Sequence, residues 1–404
     1  MSSYQTVFRL ALAAALVGAA AAPAAAVGQS SSQGRGQGGG IVSVEQVAQL
    51  TPEEVAGQLR GQIDAAQVRF GVTAYRVEYR TTDSAGAPTT ASQLVVLPKN
   101  DAHRLPTVSW LHGTTVYRKD VASQNPKATD RLVALLFAST GRAVSAPDYV
   151  GLGSGPGFHP YGDPSATVSA SVDALRATRA LAHLKGRELE RKVQVSGFSQ
   201  GGPATMMVGR ALDQEKADRY FRLGALAPVS GPFDLSAFEA AAANDEIDHA
   251  GLYLAYFATA WNKMYGLYDS PGEAFKDPYD KKVEGLFDGN STQKQIAEAL
   301  PSTSEQLFTE DFLNKVRQPS GVLKERLRPL DHTCDWKPDV PVSIYYARGD
   351  QDVANSNSSY CAAQLAAHGV GATLTDVGDV DHNGSVRLAV PGIIRFFDAA
   401  RKTG

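Results

Sequence analysis

The chain has 404 residues, of which 43% are hydrophobic and 20% are charged, and its formal net charge is −3 at pH 7. This composition is ordinary for a soluble globular protein, and the length is sufficient for a large hydrophobic core. A near-neutral charge without runs of Lys or Arg, and without a zinc-finger or RNA-binding signature, excludes nucleic acid as a partner.

The first 26 residues have the pattern of an export signal. Arg9 supplies a positive charge, residues 10–22 are apolar, and Ala24 and Ala26 end small-residue triplets suited to cleavage. The apolar run is shorter than the roughly 20 residues that span a bilayer, which favours a removable signal over a membrane anchor. No later segment is expected to span a membrane. We therefore expect a signal peptide at 1–26 and a secreted protein, extracellular or periplasmic.

Residues 27–40 predict a disordered leader. From residue 29 they consist of Gln, Ser and Gly with Arg35 as the one charge, a composition that cannot bury apolar surface. The folded part is therefore expected to begin near Ile41.

Short β-rich runs then alternate with helix-length segments, as in a parallel sheet wrapped by helices. Eight strands are predicted, at residues 73–81, 89–97, 107–111, 143–146, 193–197, 223–228, 342–346 and 372–377. The first two predict an antiparallel hairpin at one edge, and several others are continuous apolar runs typical of strands buried on both faces. The prediction is an α/β core of residues 41–230 and 341–404, with a mostly parallel eight-stranded sheet and helices on both faces.

Residues 231–340, between the sixth and seventh predicted strands, contain no convincing strand and are rich in helix formers and aromatics. An insertion of this length is unlike a bare loop, so it predicts a helical cap. Most of its aromatics are expected to pack among the cap helices, and one or two are expected to face the active site.

The strongest chemical signal is Gly197-Phe198-Ser199-Gln200-Gly201, which matches G-x-S-x-G. Residues 192–196 before it predict a strand and residues 202–212 after it predict a helix, so the serine would lie on a sharp strand-to-helix turn. Side chains at the two glycine positions would collide with neighbouring structure there. Ser199 is therefore the candidate nucleophile.

A serine nucleophile needs a histidine to take its proton, and in folds with such a turn the acid and then the histidine follow in chain order. Four histidines follow Ser199, at positions 249, 332, 368 and 382. The first two precede the seventh predicted strand, and His368 ends a predicted helix as a cap. His382, in a polar loop directly after the last strand, is the candidate base by elimination.

The acid is expected just past the seventh strand, where Asp350 and Asp352 are both available. We prefer Asp352, because Gly349 three residues earlier lets the chain turn out of the sheet and Val353 anchors the loop. Asp350 would then be a turn residue or a hydrogen-bond acceptor behind the site, and Asp234, after the sixth strand, is the third candidate.

Two backbone amides are candidates for an oxyanion hole: that of Gln200, at the start of the helix, and that of Thr114, in the loop after the third strand. The glycine-rich residues 151–157 are interrupted by prolines where a dinucleotide loop would enter a helix, so they predict a loop beside the pocket. His159 and Tyr161, just beyond, are candidate substrate-binding residues. No metal-ligand set or nucleotide motif is present in the sequence, and no metal or cofactor is predicted.

The chain has two cysteines, Cys334 and Cys361, and neither belongs to a CxxC pair. An exported protein reaches an oxidising compartment, so we expect a disulfide between them rather than two buried thiols.

The chain resembles the secretory lipase-like and bacterial carboxylesterase branch of the α/β-hydrolase superfamily. The likeness rests on the nucleophile turn at 197–202 and on the segments 111–114, 146–153, 159–161 and 231–235. The resemblance implies a triad of Ser199, Asp352 and His382, an oxyanion hole from Thr114 and Gln200, and carboxylic ester substrates, whether small molecule, lipid or polymer, without a cofactor. The alternatives are a secreted peptidase or amidase, an acyltransferase, and a catalytically inactive binding module.

Overall fold

A computed structural model describes residues 38–403 of the chain. The predicted signal peptide, 1–26, and residues 27–37 of the predicted leader lie outside the described residues. Gly39 and Gly40, which the prediction assigned to the leader, hydrogen-bond through their backbones to Arg80. The fold therefore includes the last residues of the predicted leader.

Within residues 38–403, nine strands form one sheet. They are β1 (Ile41–Leu50), β2 (Val72–Thr82), β3 (Pro88–Pro98), β4 (Arg104–Leu111), β5 (Ala143–Pro147), β6 (Glu188–Phe198), β7 (Arg222–Val229), β8 (Ser343–Tyr346) and β9 (Thr373–Asp376). Their order across the sheet is β1-β2-β3-β5-β4-β6-β7-β8-β9. The pairs β1–β2, β2–β3 and β3–β5 are antiparallel, and the remaining pairs are parallel. The predicted α/β-hydrolase fold is confirmed, with a mixed sheet in which parallel pairs predominate.

The predicted number of eight strands is wrong, because β1 was missed. This strand lies at the edge of the sheet, and none of its side chains is fully buried. Its sequence, IVSVEQVAQL, has neither the continuous apolar run nor the clean alternation that identifies an internal strand. The predicted hairpin, β2–β3, lies one strand inside the edge.

The described residues also form fourteen α-helices, several of them a single turn. They are α1 (Pro52–Leu59), α2 (Thr129–Ser139), α3 (Pro164–Leu184), α4 (Gly201–Asp213), α5 (Leu235–Ala243), α6 (Ala250–Tyr265), α7 (Pro271–Ala274), α8 (Val283–Leu286), α9 (Gln293–Ala299), α10 (Ser304–Leu307), α11 (Glu310–Arg317), α12 (Gly321–Asp331), α13 (Ser356–Ala367) and α14 (His382–Thr403).

Helices cover both faces of the sheet, so that the sheet has a hydrophobic core on each side. Residues of α3, α4 and α13 share one core with the sheet, and residues of α1, α2 and α14 share the other. Two buried layers of this kind are what a parallel sheet with apolar strands requires.

Between β7 and β8 the chain forms α5 to α12, with no strand of the sheet among them. These helices pack around a third hydrophobic core, to which the aromatics of α6 contribute. Among the residues that the structure describes, no helix is both long and apolar enough to cross a membrane.

Cys334 and Cys361 form a disulfide with their Cα atoms 5.2 Å apart, which confirms the predicted bridge. Cys334 follows α12, and Cys361 lies within α13. The bond therefore connects the end of the inserted helices to α13, the helix that follows the loop of Asp350 and Asp352, called the acid loop below.

Candidate active site

Ser199 lies on the turn between β6, which ends at Phe198, and α4, which begins at Gly201. Its φ is +56°, a left-handed conformation that a non-glycine residue keeps only where the surrounding structure holds it. A Cβ at Gly197 would lie 2.7 Å from the carbonyl oxygen of Leu111, and a Cβ at Gly201 would collide with the same atom. The two glycines are therefore required by close backbone approach.

His382 is the first residue of α14. Its Nδ1 lies 2.7 Å from Oδ2 of Asp350, and the two side chains are 4% and 1% exposed. The imidazole packs on the ring of Phe198, the residue before Ser199, with ring centroids 4.6 Å apart. Among residues 38–403, Nε2 of His382 is buried and has no hydrogen-bond partner. One ring nitrogen is thus held by a carboxylate, and the other is available beside the nucleophile turn.

The residue that bonds His382 is Asp350, not the predicted Asp352. Oδ1 of Asp350 accepts hydrogen bonds from the backbone amides of Asp352 and Val353, at 3.0 and 2.9 Å. These bonds fix the carboxyl group in the turn and leave Oδ2 for the imidazole. The bond to His382 that was expected of Asp352 is therefore made by Asp350, because the turn that Oδ1 of Asp350 organises directs its Oδ2 toward the imidazole.

Asp352 bonds instead to residues at the start of α6. Its Oδ1 accepts a hydrogen bond from the Tyr253 hydroxyl at 3.0 Å and lies 2.9 Å from Nδ1 of His249. Next to it, the amide of Asp248 donates to the carbonyl of Gln351 at 2.9 Å. Asp352 therefore joins the acid loop to the inserted helices, and the sequence analysis identified neither of its partners.

Gly349 also meets a steric requirement that was not part of the prediction. A Cβ there would lie 2.6 Å from Oδ1 of Asp379 and 2.9 Å from the backbone of Val380, in the loop that leads to His382. The glycine lets the acid loop and the histidine loop approach each other.

The third candidate acid, Asp234, caps α5 by accepting from the amide of Ala237 at 3.1 Å.

The two predicted oxyanion residues both lie next to the nucleophile turn. A Cβ at Gly113, the residue before Thr114, would lie 3.2 Å from the Cβ of Ser199. Gln200 follows Ser199 and is the N-cap of α4, where helix amides point outward. Within the described part of the chain, neither the Thr114 amide nor the Gln200 amide donates a backbone hydrogen bond. Both amides are therefore candidates to bind a developing negative charge.

His159 and Tyr161, predicted to line the pocket, each contact an oxyanion candidate. The Tyr161 hydroxyl and Oγ1 of Thr114 are 2.9 Å apart. His159 has Nδ1 2.9 Å from the carbonyl oxygen of Val150 and Nε2 3.2 Å from Nε2 of Gln200. Burial lowers the pKa of His159 to about 4, so the ring is neutral at pH 7. The Nδ1–H group then donates to the Val150 carbonyl oxygen, and Nε2 accepts a hydrogen bond from the side-chain amide of Gln200.

A mostly apolar pocket lies beside these residues. Tyr161 and Gln200 line it from the core, and Phe257 and Trp261 line it from α6, whereas Ser199 and His382 are not among its lining residues. Glu239 of α5 also lines it, and the sequence analysis missed this residue. The available signal was a glutamate within the apolar stretch LSAFEAAAA.

In the part of the chain that the structure describes, Asp350, Asp352 and His382 each have an atom that could ligate a metal ion, and these three atoms lie within 4.8 Å of one another. Both carboxylates accept the hydrogen bonds given above, and Nδ1 of His382 bonds to Asp350. We therefore interpret the cluster as a hydrogen-bonded network rather than a metal centre.

A family model described as secretory lipase matches residues 122–399 of the chain. No protein among those with curated functions matches it.

Several solved structures share the fold. A Legionella pneumophila protein superimposes with a TM-score of 0.83 at 24% identity, covering 89% of this chain and 98% of that one. The rice cell wall degrading esterase LipA from Xanthomonas oryzae gives a TM-score of 0.76 at 26% identity, covering 89% and 97%. Lipase A from Candida antarctica, in its closed state, gives 0.66 at 14% identity, covering 90% and 82%.

Proposed function

From the premise that the chain belongs to the secretory lipase family and is a carboxylic ester hydrolase, we propose that it acts through an acyl-enzyme on Ser199. The triad is Ser199, His382 and Asp350, with the amides of Thr114 and Gln200 as the oxyanion hole. The observation that carries this proposal is the state of His382: Nδ1 is 2.7 Å from a buried carboxylate, and Nε2 has no partner among residues 38–403.

In the first half of the reaction, Nε2 of His382 takes the proton from Oγ of Ser199 while Oγ attacks the ester carbonyl carbon. The carbonyl oxygen becomes an oxyanion, which the two backbone amides stabilise. The tetrahedral intermediate then expels the alcohol, and the imidazolium returns the proton to the leaving oxygen. The acyl group remains on Ser199.

In the second half, a water molecule takes the place of the alcohol. His382 removes its proton, the resulting tetrahedral intermediate is bound by the same amides, and Ser199 leaves with the proton as the acid is released. Asp350 keeps the Nδ1 proton in place throughout and stabilises the imidazolium, and its bonds to two backbone amides fix its orientation.

The hydrogen bonds behind the oxyanion residues support their proposed role. Tyr161 bonds to Thr114, and neutral His159 bonds to the side chain of Gln200. These contacts hold the two residues before substrate arrives, and a donor that is already oriented needs no reorganisation during the reaction.

The proposed cap consists of the inserted helices, residues 231–340, on the core of residues 41–230 and 341–404. Its support is that α6 reaches the acid loop through Tyr253 and the pocket through Phe257 and Trp261. A cap in this position would exclude water from part of the site and would shape the substrate pocket.

The proposal includes export of the protein after removal of residues 1–26. The family and the disulfide between Cys334 and Cys361 support it, because disulfides persist in oxidising compartments. Amino-terminal sequencing of the protein recovered outside the cytoplasm would test it: a start near residue 27 is expected, and an intact residue 1 would contradict it.

The experiment that tests the mechanism is Ser199→Ala, assayed with p-nitrophenyl butyrate. The substitution removes the nucleophile without adding bulk, so we expect a loss of about 10⁴-fold or more in kcat with an unchanged melting temperature. Activity within tenfold of the wild type would remove Ser199 from the mechanism.

A further inference from the structure

The mechanism leaves one buried ionisable group of the pocket without a role. Glu239 lies on α5 and is 1% exposed. Its Oε2 is buried and has no hydrogen-bond partner among residues 38–403. Because a buried polar atom without a partner is unfavourable, folded proteins keep one mainly where water or a ligand completes it.

The surroundings of Glu239 favour the neutral form of its carboxyl group. Burial raises the pKa of its carboxyl group well above the usual range, and no ion pair opposes this effect. A protonated carboxyl group can donate one hydrogen bond through its O–H and accept others. Glu239 is therefore suited to a neutral oxygen-containing group rather than to a cation.

The carboxyl group lines the apolar pocket beside the proposed oxyanion hole. Tyr161, Gln200 and Trp261, which line the same pocket, already have hydrogen-bond partners: Oγ1 of Thr114, the His159 ring and the Tyr161 carbonyl. Glu239 thus adds a carboxyl group with an unpartnered oxygen to a mostly apolar wall, whose remaining polar side chain is that of Thr167.

We propose that this pocket receives one arm of the ester substrate, an arm that is mainly apolar and carries a hydroxyl, ether or carbonyl oxygen, and that Glu239 binds this oxygen. Glu239 is then a specificity-determining residue, which favours oxygenated esters over plain alkyl or acyl esters of equal length. The inference rests on the proposed ester hydrolysis at Ser199, because the pocket borders Gln200, the next residue.

Two matched series of esters test this proposal and separate the two possible arms. The acyl series compares p-nitrophenyl esters of ω-hydroxy acids with those of unsubstituted acids of equal length. The alcohol series compares monoacetates of alkane diols with acetates of the corresponding alkanols. The readout is the ratio of kcat/KM, oxygenated over plain, at each length.

In the wild type we expect a ratio of about three to ten at one length in one series, the scale of a single neutral hydrogen bond. Glu239→Met and Glu239→Leu both remove the carboxyl group, so either folded variant should bring this ratio to one or below. Glu239→Gln keeps a donor and an acceptor and should retain the preference. As a matched control, Glu246→Met changes an exposed glutamate and should leave the ratio as in the wild type.

Three results would overturn the proposal: a wild-type ratio of one throughout both series, a ratio that Glu239→Met leaves unchanged, or an equal loss on plain and oxygenated esters in every Glu239 variant. The last result would mean that the carboxyl group only binds a structural water. Wild-type turnover of p-nitrophenyl acetate is measured separately. Its absence would contradict the proposed mechanism, whereas turnover with a ratio of one contradicts this inference alone.

Discussion

Replacing each aspartate of the acid loop with asparagine distinguishes the two candidate acids. In Asp350→Asn, the amide oxygen can still accept from the backbone amides of Asp352 and Val353, so the turn is retained. The amide nitrogen then faces Nδ1 of His382, at the position where Oδ2 accepts a hydrogen bond from Nδ1 at 2.7 Å. The imidazole must therefore keep its proton on Nε2, where Ser199 needs an acceptor.

The expected losses differ by orders of magnitude. A wrong tautomer in a serine triad costs about 10⁴ in kcat, which is about 5.4 kcal/mol at 1.36 kcal/mol per tenfold change. Carboxylate and imidazole atoms of Asp352 and His382 lie within 4.8 Å of each other, and a full charge at 4.8 Å contributes about 3.5 kcal/mol at an effective dielectric constant of about 20. The bonds of Asp352 to Tyr253 and His249 reduce this contribution, so we expect Asp352→Asn to cost about tenfold.

The assay is the steady-state hydrolysis of p-nitrophenyl butyrate by both variants, with melting temperatures to show that each is folded. Asp101→Asn, at an exposed loop position, is the control and should leave kcat unchanged. If Asp352→Asn loses as much kcat as Asp350→Asn or more, the assignment of Asp350 as the acid is refuted.

Three further predictions concern the surroundings of the triad. Gly113→Ala places a Cβ 3.2 Å from the Cβ of Ser199 and should displace the loop that carries Thr114, which lowers kcat by about tenfold or more. An unchanged kcat would show that this loop takes no part in catalysis. The Cys334–Cys361 bridge, with a separation of 27 residues, should contribute about 3.5 kcal/mol to the free energy of unfolding, so its reduction should lower the melting temperature. Alkylation of both thiols without prior reduction would show that the bridge is absent. The pKa of His159 is about 4 in the folded protein and 6.5 in the unfolded chain. As pH falls, the unfolded chain therefore binds the proton first. The free energy of unfolding should decrease by about 3 kcal/mol between pH 6.5 and pH 4. A His159→Gln variant should lack this part of the pH dependence, and equal slopes would count against it.

The features that the sequence predicted are those with a local signature. The nucleophile turn is defined within five residues, since Gly197 and Gly201 are both required by contact with one carbonyl oxygen. The internal strand β7 is largely an apolar run, which identifies it without knowledge of its neighbours. His382, the proposed base, follows by elimination because few histidines come after Ser199 in the chain.

The features that were missed depend on contacts between distant segments. Asp350 and Asp352 are chemically identical and two residues apart, and the choice between them follows from the direction of hydrogen bonds within one turn. The partners of Asp352 lie 99 and 103 residues away. β1 is a strand because β2 offers it a free edge, and its own residues are largely exposed. Glu239 lines a pocket that forms only when the inserted helices fold onto the core.

Labelling with a fluorophosphonate, followed by intact-mass and peptide mass spectrometry, tests the proposed nucleophile most directly. Such a probe reacts with a serine that an adjacent base has activated, and the bound phosphonate occupies the place of the tetrahedral intermediate. We predict one adduct per molecule, located on Ser199, with loss of esterase activity in proportion to labelling and no adduct on Ser199→Ala. An adduct on another residue, or esterase activity that persists when Ser199 is fully modified, would contradict the account.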